Sequence, residues 1–141
     1  MGQSPNGNTY GNIGTEFHQG KMFFTDRIIG ISNVKTSTPI KVTSKYSLVM
    51  SVRAPVGDVN YCNREICIGR GLCSIECFVP ELTDYLYIIL KANSKFFKDK
   101  STGTTFKAIN MDVIASLPIL LPPLNEQKSI ASKINKINMY L

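Results

Sequence analysis

Few residues of this chain could do chemistry, and their spacing excludes most reactions. His18 is the sole histidine. It stands beside Phe17 with no nucleophile motif around it, which reads as a loop histidine and not a general base. Cys62, Cys67, Cys73 and Cys77 include no Cys-x-x-Cys pair, so no zinc site is expected, nor any other metal. Cys73, Ile75, Cys77 and Val79 alternate with Ser74, Glu76 and Phe78, the pattern of thiols on a buried strand face. Glu126-Gln127-Lys128 carries the Glu-x-Lys half of a nuclease metal site. Without an upstream aspartate on a neighbouring strand it reads as a helix cap. Leu121-Pro122-Pro123-Leu124 lacks the leading Asn or Asp and the trailing aromatic ring with which an amino-methyltransferase holds a flipped adenine. No catalytic residue is expected.

What remains is charge. Sixteen Lys and Arg against ten Asp and Glu leave a net +6, which makes a polyanion the partner to expect. Between residues 91 and 107, Lys91, Lys95, Lys98, Lys100 and Lys107 meet only Asp99, interleaved with Phe96, Phe97 and Phe106. Ammonium groups beside a Gly-Thr-Thr turn supply both charge and neutral donors to a phosphate backbone. The competing reading is a solvated helix end whose phenylalanines pack inward.

Such groups need elements to position them. A length of 141 residues, 43% apolar with mean hydropathy near zero, suits one domain with its own core. There is no run of about 18 apolar residues for a spanning helix and no basic-then-apolar leader. No membrane association is expected, the expected compartment is the cytoplasm, and the thiols should there be reduced. Turn formers at residues 2–8 and 11–14 read as loops, without the features of a P-loop or a dinucleotide loop. Residues 27–34 and 40–43 read as short strands, and residues 46–53 alternate as a clearer one. A turn at residues 54–58 follows. Residues 65–79 give two further strands about Gly69-Arg70-Gly71. Leu82, Tyr85, Leu86 and Ile89 fall at i, i+3, i+4 and i+7, which predicts an amphipathic helix with those residues on its core face. Residues 111–121 read as a strand ended by Pro122-Pro123, with Asn125 as N-cap of a last helix and Glu126 in its first turn. In that helix Ile130, Ile134, Ile137 and Leu141 are spaced 4-3-4, the stripe of a two-helix seam, so it is read as docking on another helix. Packing back on its own domain is the alternative. The expected fold is α+β: one twisted, mostly antiparallel sheet with flanking helices over residues 1–124, then a spacer helix from 125 to 141.

The succession Gly2-Gln3-Ser4-Pro5, Ser51-Val52-Arg53-Ala54-Pro55-Val56-Gly57, Ile68-Gly69-Arg70-Gly71-Leu72, Gly103-Thr104-Thr105-Phe106 and Leu121-Pro122-Pro123-Leu124-Asn125-Glu126-Gln127 resembles one target-recognition domain of the specificity subunit of type I restriction-modification systems. It does so in order and across nearly the whole chain. The resemblance implies a non-catalytic reader of double-stranded DNA, taking one half of a bipartite site, whose helix docks methyltransferase subunits. Those subunits use S-adenosylmethionine to methylate adenine, and a separate restriction subunit uses ATP, with Mg2+, to translocate and cleave. No cofactor is expected on this chain. On that reading the candidates near bases are Gln3, Ser4, Asn6, Gln19, Lys21, Arg53 and Arg70. Arg or Lys pairs with guanine and Asn or Gln with adenine, each good pair discriminating by about 1–3 kcal/mol. Lys95, Lys98, Lys100, Thr104 and Thr105 are the phosphate candidates. Ordinary loop polarity competes at each position, and bracing of neighbouring loops competes at the two arginines.

The chain departs from the family pattern in having one domain, an opening loop that starts at residue 2, and a final helix of 17 residues, about 25 Å long. A truncated gene, a silent recombination cassette, or a half-subunit that dimerises through this helix would account for these features. A second expected class is an interaction fragment that competes for methyltransferase subunits without reading DNA.

Overall fold

The computed structural model describes residues 1–105 and 107–138. Its strands are β1 (Tyr10–Gly11), β2 (Thr15–His18), β3 (Lys35–Thr36), β4 (Val42–Thr43), β5 (Leu48–Ser51), β6 (Val59–Tyr61), β7 (Ile66–Ile68) and β8 (Leu72–Ile75). The helices are α1 (Thr83–Ala92), α2 (Ser94–Lys100), α3 (Met111–Ala115) and α4 (Leu124–Asn138). The expected α+β class with dominant antiparallel pairing holds, but the strands divide into two sheets. One has the order β1-β3-β2-β7-β4, the other β6-β5-β8. Among the strand pairs only β2 and β7 run parallel, with Phe17 opposite Cys67 and His18 opposite Ile68.

β5 explains why two sheets form one body. Alternate residues of a strand face opposite sides. Leu48 and Met50 enter a core with Val59, Tyr87, Leu90, Phe97, Ile109 and Leu117, beneath the helices. Val49 points the other way, into a core with Ile29, Cys62, Ile66, Ile68 and Leu72. The strand is therefore buried on both faces, and a period-2 pattern of polar residues is not required of it.

Several sequence expectations are corrected. Residues 27–34 form no named strand: Ile28 makes a single parallel bridge to Tyr61 and the chain runs on irregularly to β3. β2 arises where no strand was read. The clearer strand starts at Leu48 and not at Tyr46, which is exposed with φ +73°. Alternation beyond Ile75 does not persist, because β8 ends there and Phe78 and Val79 are exposed. In α1 the buried residues are Thr83, Tyr85, Tyr87 and Leu90, while Leu86 and Ile89 are half-buried. The helix meets β6 on one side and α4 on another, which rotates its buried stripe away from the single face expected.

The reading of residues 111–121 as a strand is also overturned. Asn110 caps α3, its side-chain oxygen accepting from the Val113 N–H at 3.0 Å, and Asp112 lies in the positive first turn. Capping outweighs the β-branched run until Leu117-Pro118 leaves the helix. Asn110→Ala is expected to cost about 1 kcal/mol by loss of this cap, read as a lowered midpoint in urea. Asn125 is not a cap, since α4 begins at Leu124 and the Pro123 carbonyl accepts from both Glu126 N and Gln127 N.

Candidate nucleic-acid interface

Three chain segments cross at backbone distance near the end of the β5–β8 ladder. Gly2 N donates to Leu72 O at 2.8 Å and Gln3 N to Ile68 O at 3.0 Å. Gly69 N donates to His18 O at 2.8 Å, and Gly71 N to Gln19 O at 3.0 Å. No side chain fits between them: a β-carbon on Gly2 would lie 2.2 Å from Gly69 O, and one on Gly71 2.5 Å from Gln19 O. Glycine is required here for close approach. Ser4 ties the crossing laterally, its hydroxyl donating to Gln19 Oε1 at 2.8 Å and accepting from Arg70 N at 3.2 Å. Gln3, Gln19 and Arg70 emerge exposed.

Arg53 joins them. Val52 N donates to Gly71 O at 2.9 Å, so Arg53 and Arg70 are the residues adjoining that bond on the two segments. Both are exposed, and neither side chain makes an ion pair among the described residues. Two guanidinium groups from adjoining backbone positions, neither ion-paired among the described residues, form an arrangement that an anion relieves. Alongside, Arg53 bridges Ala108, Ala54 N donates to Lys107 O, and Thr102 closes on Ala108 through reciprocal bonds of 3.0 and 2.9 Å. That closure presents Gly103, in the left-handed region at φ +118°, with Thr104 and Thr105 exposed. Phe106 lies outside the described residues. α2 carries Lys95, Lys98 and Lys100, all exposed, and is anchored by the fully buried Phe97.

Beside Ser4 and Gln19, two further candidates have internal partners. Asn6 Oδ1 accepts from Asn8 N at 3.3 Å and caps a short 3-10 turn at Gly7–Thr9. Lys21 is ion-paired with Asp58. Of the docking stripe, Ile130 and Ile134 are half-buried, Ile137 is 58% exposed, and Leu141 lies outside the described residues. The face that α4 turns to its own domain is offset from the stripe: Gln127 and Ala131 are buried and Asn135 is hydrogen-bonded to Arg27.

Sequence reasoning missed the group that braces the crossing. Glu16 Oε1 and Oε2 accept from Arg64 Nη2 and Nε at 2.6 and 2.7 Å, and Oε1 also accepts from Ser32 N at 2.8 Å. Arg64 donates further to Ile29 O at 3.1 Å and to Gly30 O at 2.8 Å. Burial opposes ionisation of Glu16, but the Arg64 fork, the Ser32 N–H and His18 outweigh it and hold the carboxyl at about 2. His18 is a buried β2 residue and not a loop residue, 1% exposed, with Nε2 at 2.7 Å from Glu16 Oε1. Burial pushes its pKa down despite that carboxylate, so the neutral ring donates through Nε2, and its Nδ1 has no partner among the described residues. Cys62, Cys67 and Cys73 are buried, and burial pushes Cys73 up to about 11, which keeps its thiol protonated; Cys77 is half-buried.

Comparison with known proteins agrees over nearly the whole chain. The sequence model of the type I restriction modification DNA specificity domain matches residues 5–139. The "putative type I restriction enzyme MjaX specificity subunit" of Methanocaldococcus jannaschii is 37% identical over 141 residues, covering 98% of this chain and 33% of that protein. The HsdS subunit from Thermoanaerobacter tengcongensis superposes with a TM-score of 0.84 at 32% identity, over 99% of this chain and 34% of that one. A chain from a structure on complex assembly and conformational transition of a type I R-M system gives 0.82 at 34% identity, over 99% and 35%. This chain thus spans about a third of the length of these relatives. No helix among the described residues is long and apolar enough to cross a membrane. By matched sequence model, by identity along its length and by fold, the chain belongs to the type I restriction-modification DNA specificity family.

Proposed function

We propose that the chain is a non-catalytic reader of double-stranded DNA that recognises one half of a bipartite site and positions the methyltransferase and restriction subunits of a type I complex. Residues 1–124 are the reading domain and residues 125–141 begin the spacer helix. The glycine crossing supports this most directly, because it holds Gln3, Gln19 and Arg70 exposed beside Arg53, with neither arginine ion-paired among the described residues. Of the base candidates Gln3, Arg53 and Arg70 are favoured, because the side chains of Ser4, Gln19, Asn6 and Lys21 have internal partners. S-adenosylmethionine, ATP and Mg2+ belong to the partner subunits. The half-exposed isoleucines of α4 supply the docking face, for methyltransferase subunits or for a second copy of the chain.

Mapping adenine methylation in cells that carry the matching methyltransferase, with and without this chain, tests the proposal. One methylated motif should depend on the chain, and the absence of any dependent motif overturns the reading. Methyltransferase binding through α4 with no duplex preference would identify the chain as a competitor instead. The phosphate candidates have their own test. Replacing Lys95, Lys98 and Lys100 by alanine is expected to flatten the salt dependence of duplex binding by about 0.9 in slope per lost contact. Sequence preference, read from competition between duplexes, should stay unchanged.

A further inference from the structure

We infer that Arg27, Asp84 and Asn135 form a joint that sets the angle at which α4 leaves the domain, and through it the gap between half-sites that an assembled reader accepts. The inference rests on the reading of the chain as a half-site reader. Arg27 sits where three parts of the molecule meet. Its guanidinium carbon lies 4.9 Å from the Tyr61 ring centre and 5.6 Å from that of Tyr87, the two rings being 4.4 Å apart. Nη1 donates to Asn135 Oδ1 on α4 at 2.9 Å, and Nη2 donates to Asp84 Oδ1 on α1 at 3.4 Å. Asn135 Nδ2 closes the ring of contacts by donating to Asp84 Oδ2 at 3.4 Å.

The supports of this group are themselves fixed. The Tyr61 hydroxyl donates to Asp84, and burial together with that carboxylate pushes its pKa up, so it stays a donor. The Tyr87 hydroxyl donates to Asp26 O at 2.9 Å, tying the chain just before Arg27 to α1. A guanidinium is planar and its donors have fixed directions. Rings that set its plane and acceptors on two different helices therefore define an orientation, which a flexible ammonium would not.

Ala131 packs inward, and beyond it α4 borders open space. Beside the joint lies a cleft of about 640 Å³ lined by Arg27, Tyr87, Lys91, Ile134, Asn135 and Asn138. Arg27 and Asp84 are 42% and 44% exposed, so their pairing adds little to stability. Its consequence is direction. The fifteen residues of α4 span about 22 Å, and a swing of roughly 10° moves the end by about 4 Å. One base pair of gap changes the separation of half-sites by about 3.4 Å and their relative rotation by about 35°. An error of that size at the joint is therefore an error of one base pair in the site.

Arg27→Lys keeps the charge and loses the fork, and Asn135→Ala loses the acceptor while favouring the helix. The full chain, assembled with its methyltransferase subunits and second half-reader, is offered bipartite duplexes whose gap changes by single base pairs, with methylation rate as the readout. Thermal midpoint and affinity for a duplex bearing one half-site are measured in parallel, the midpoint expected to stay within about 3 °C and the affinity within about twofold of the parent. The parent should favour one gap over its neighbours, and both variants should lower that ratio by about threefold or more with the half-site sequence unchanged. A parental gap ratio in both variants overturns the inference, as does a fall in half-site affinity with no change in that ratio. Absence of any half-site preference in the parent overturns the reading function itself, a different result from a fixed gap preference.

Discussion

Arg64→Ala is expected to lower stability by about 3 kcal/mol at neutral pH, a large fraction of what a domain of this size possesses. The loss exceeds the worth of one ion pair because of what stays behind. Glu16, only 13% exposed in its side chain, keeps its charge but loses two of its donors, while Ile29 O and Gly30 O lose theirs. Unpaired polar groups away from water are costly. The pH dependence gives the sign that distinguishes this from a simple packing loss. Glu16 is held at about 2 in the folded chain against 4.5 when unperturbed. Its contribution, of order 2–3 kcal/mol, is thus present above pH 4.5 and is lost as pH falls toward 2. His18 acts at higher pH: its folded pKa lies below the ordinary 6.5, so stability begins to fall as pH drops through 6.5, where the unfolded chain takes up the proton first. The difference between parent and Arg64→Ala, followed by urea unfolding from pH 7 to pH 3, should shrink with acid. A difference independent of pH would mean that the carboxylate is not what Arg64 supports.

Gly71→Ala is expected to cost about 2–3 kcal/mol and to weaken specific duplex binding by at least about tenfold. The added carbon would sit 2.5 Å from Gln19 O and 3.2 Å from Gly20 Cα, both backbone atoms that cannot turn aside as a side chain would. Relief requires the His18–Gly20 segment to withdraw, which breaks the Gly71 N to Gln19 O bond and moves Gln19 away from Ser4 and Arg70. Gly20→Ala is the matched control, since a β-carbon there meets nothing within 4 Å. It should leave folding and binding within about 0.5 kcal/mol of the parent. Equal behaviour of the two variants, in unfolding and in duplex titration, would show that the crossing is not tightly packed.

The crossing was legible only as a set of glycine-bearing motifs. Gly2, Gly69 and Gly71 could be marked as turn formers from sequence, but that they meet one another is a property of the parallel β2–β7 pairing, and β2 itself was not read. Four residues between glycine-rich turns, with Glu16 and His18 among them, carry too little periodicity to declare a strand. Glu16 and Arg64 are 48 positions apart, and Arg27 and Asn135 are 108 apart. Local pattern holds no trace of either pair. What sequence did convey were the long signals: the helix after Pro80, the β5 run, the prolines before α4 and the basic stretch between residues 91 and 107. Residues 111–121 failed because a short apolar segment suits strand and helix equally, and the capping oxygen of Asn110 decided between them.

The ties at the glycine crossing run almost wholly through main-chain N–H and carbonyl groups, with Ser4, among the described residues, the one side-chain link to the Arg70 turn. Main-chain bonds do not depend on which side chain stands at the tip. Arg70, and Gln3 beside it, can therefore be exchanged for residues of other shape and charge with no demand on the core. On the proposed function the surface is a socket with replaceable pins, where a new DNA preference would need no new fold.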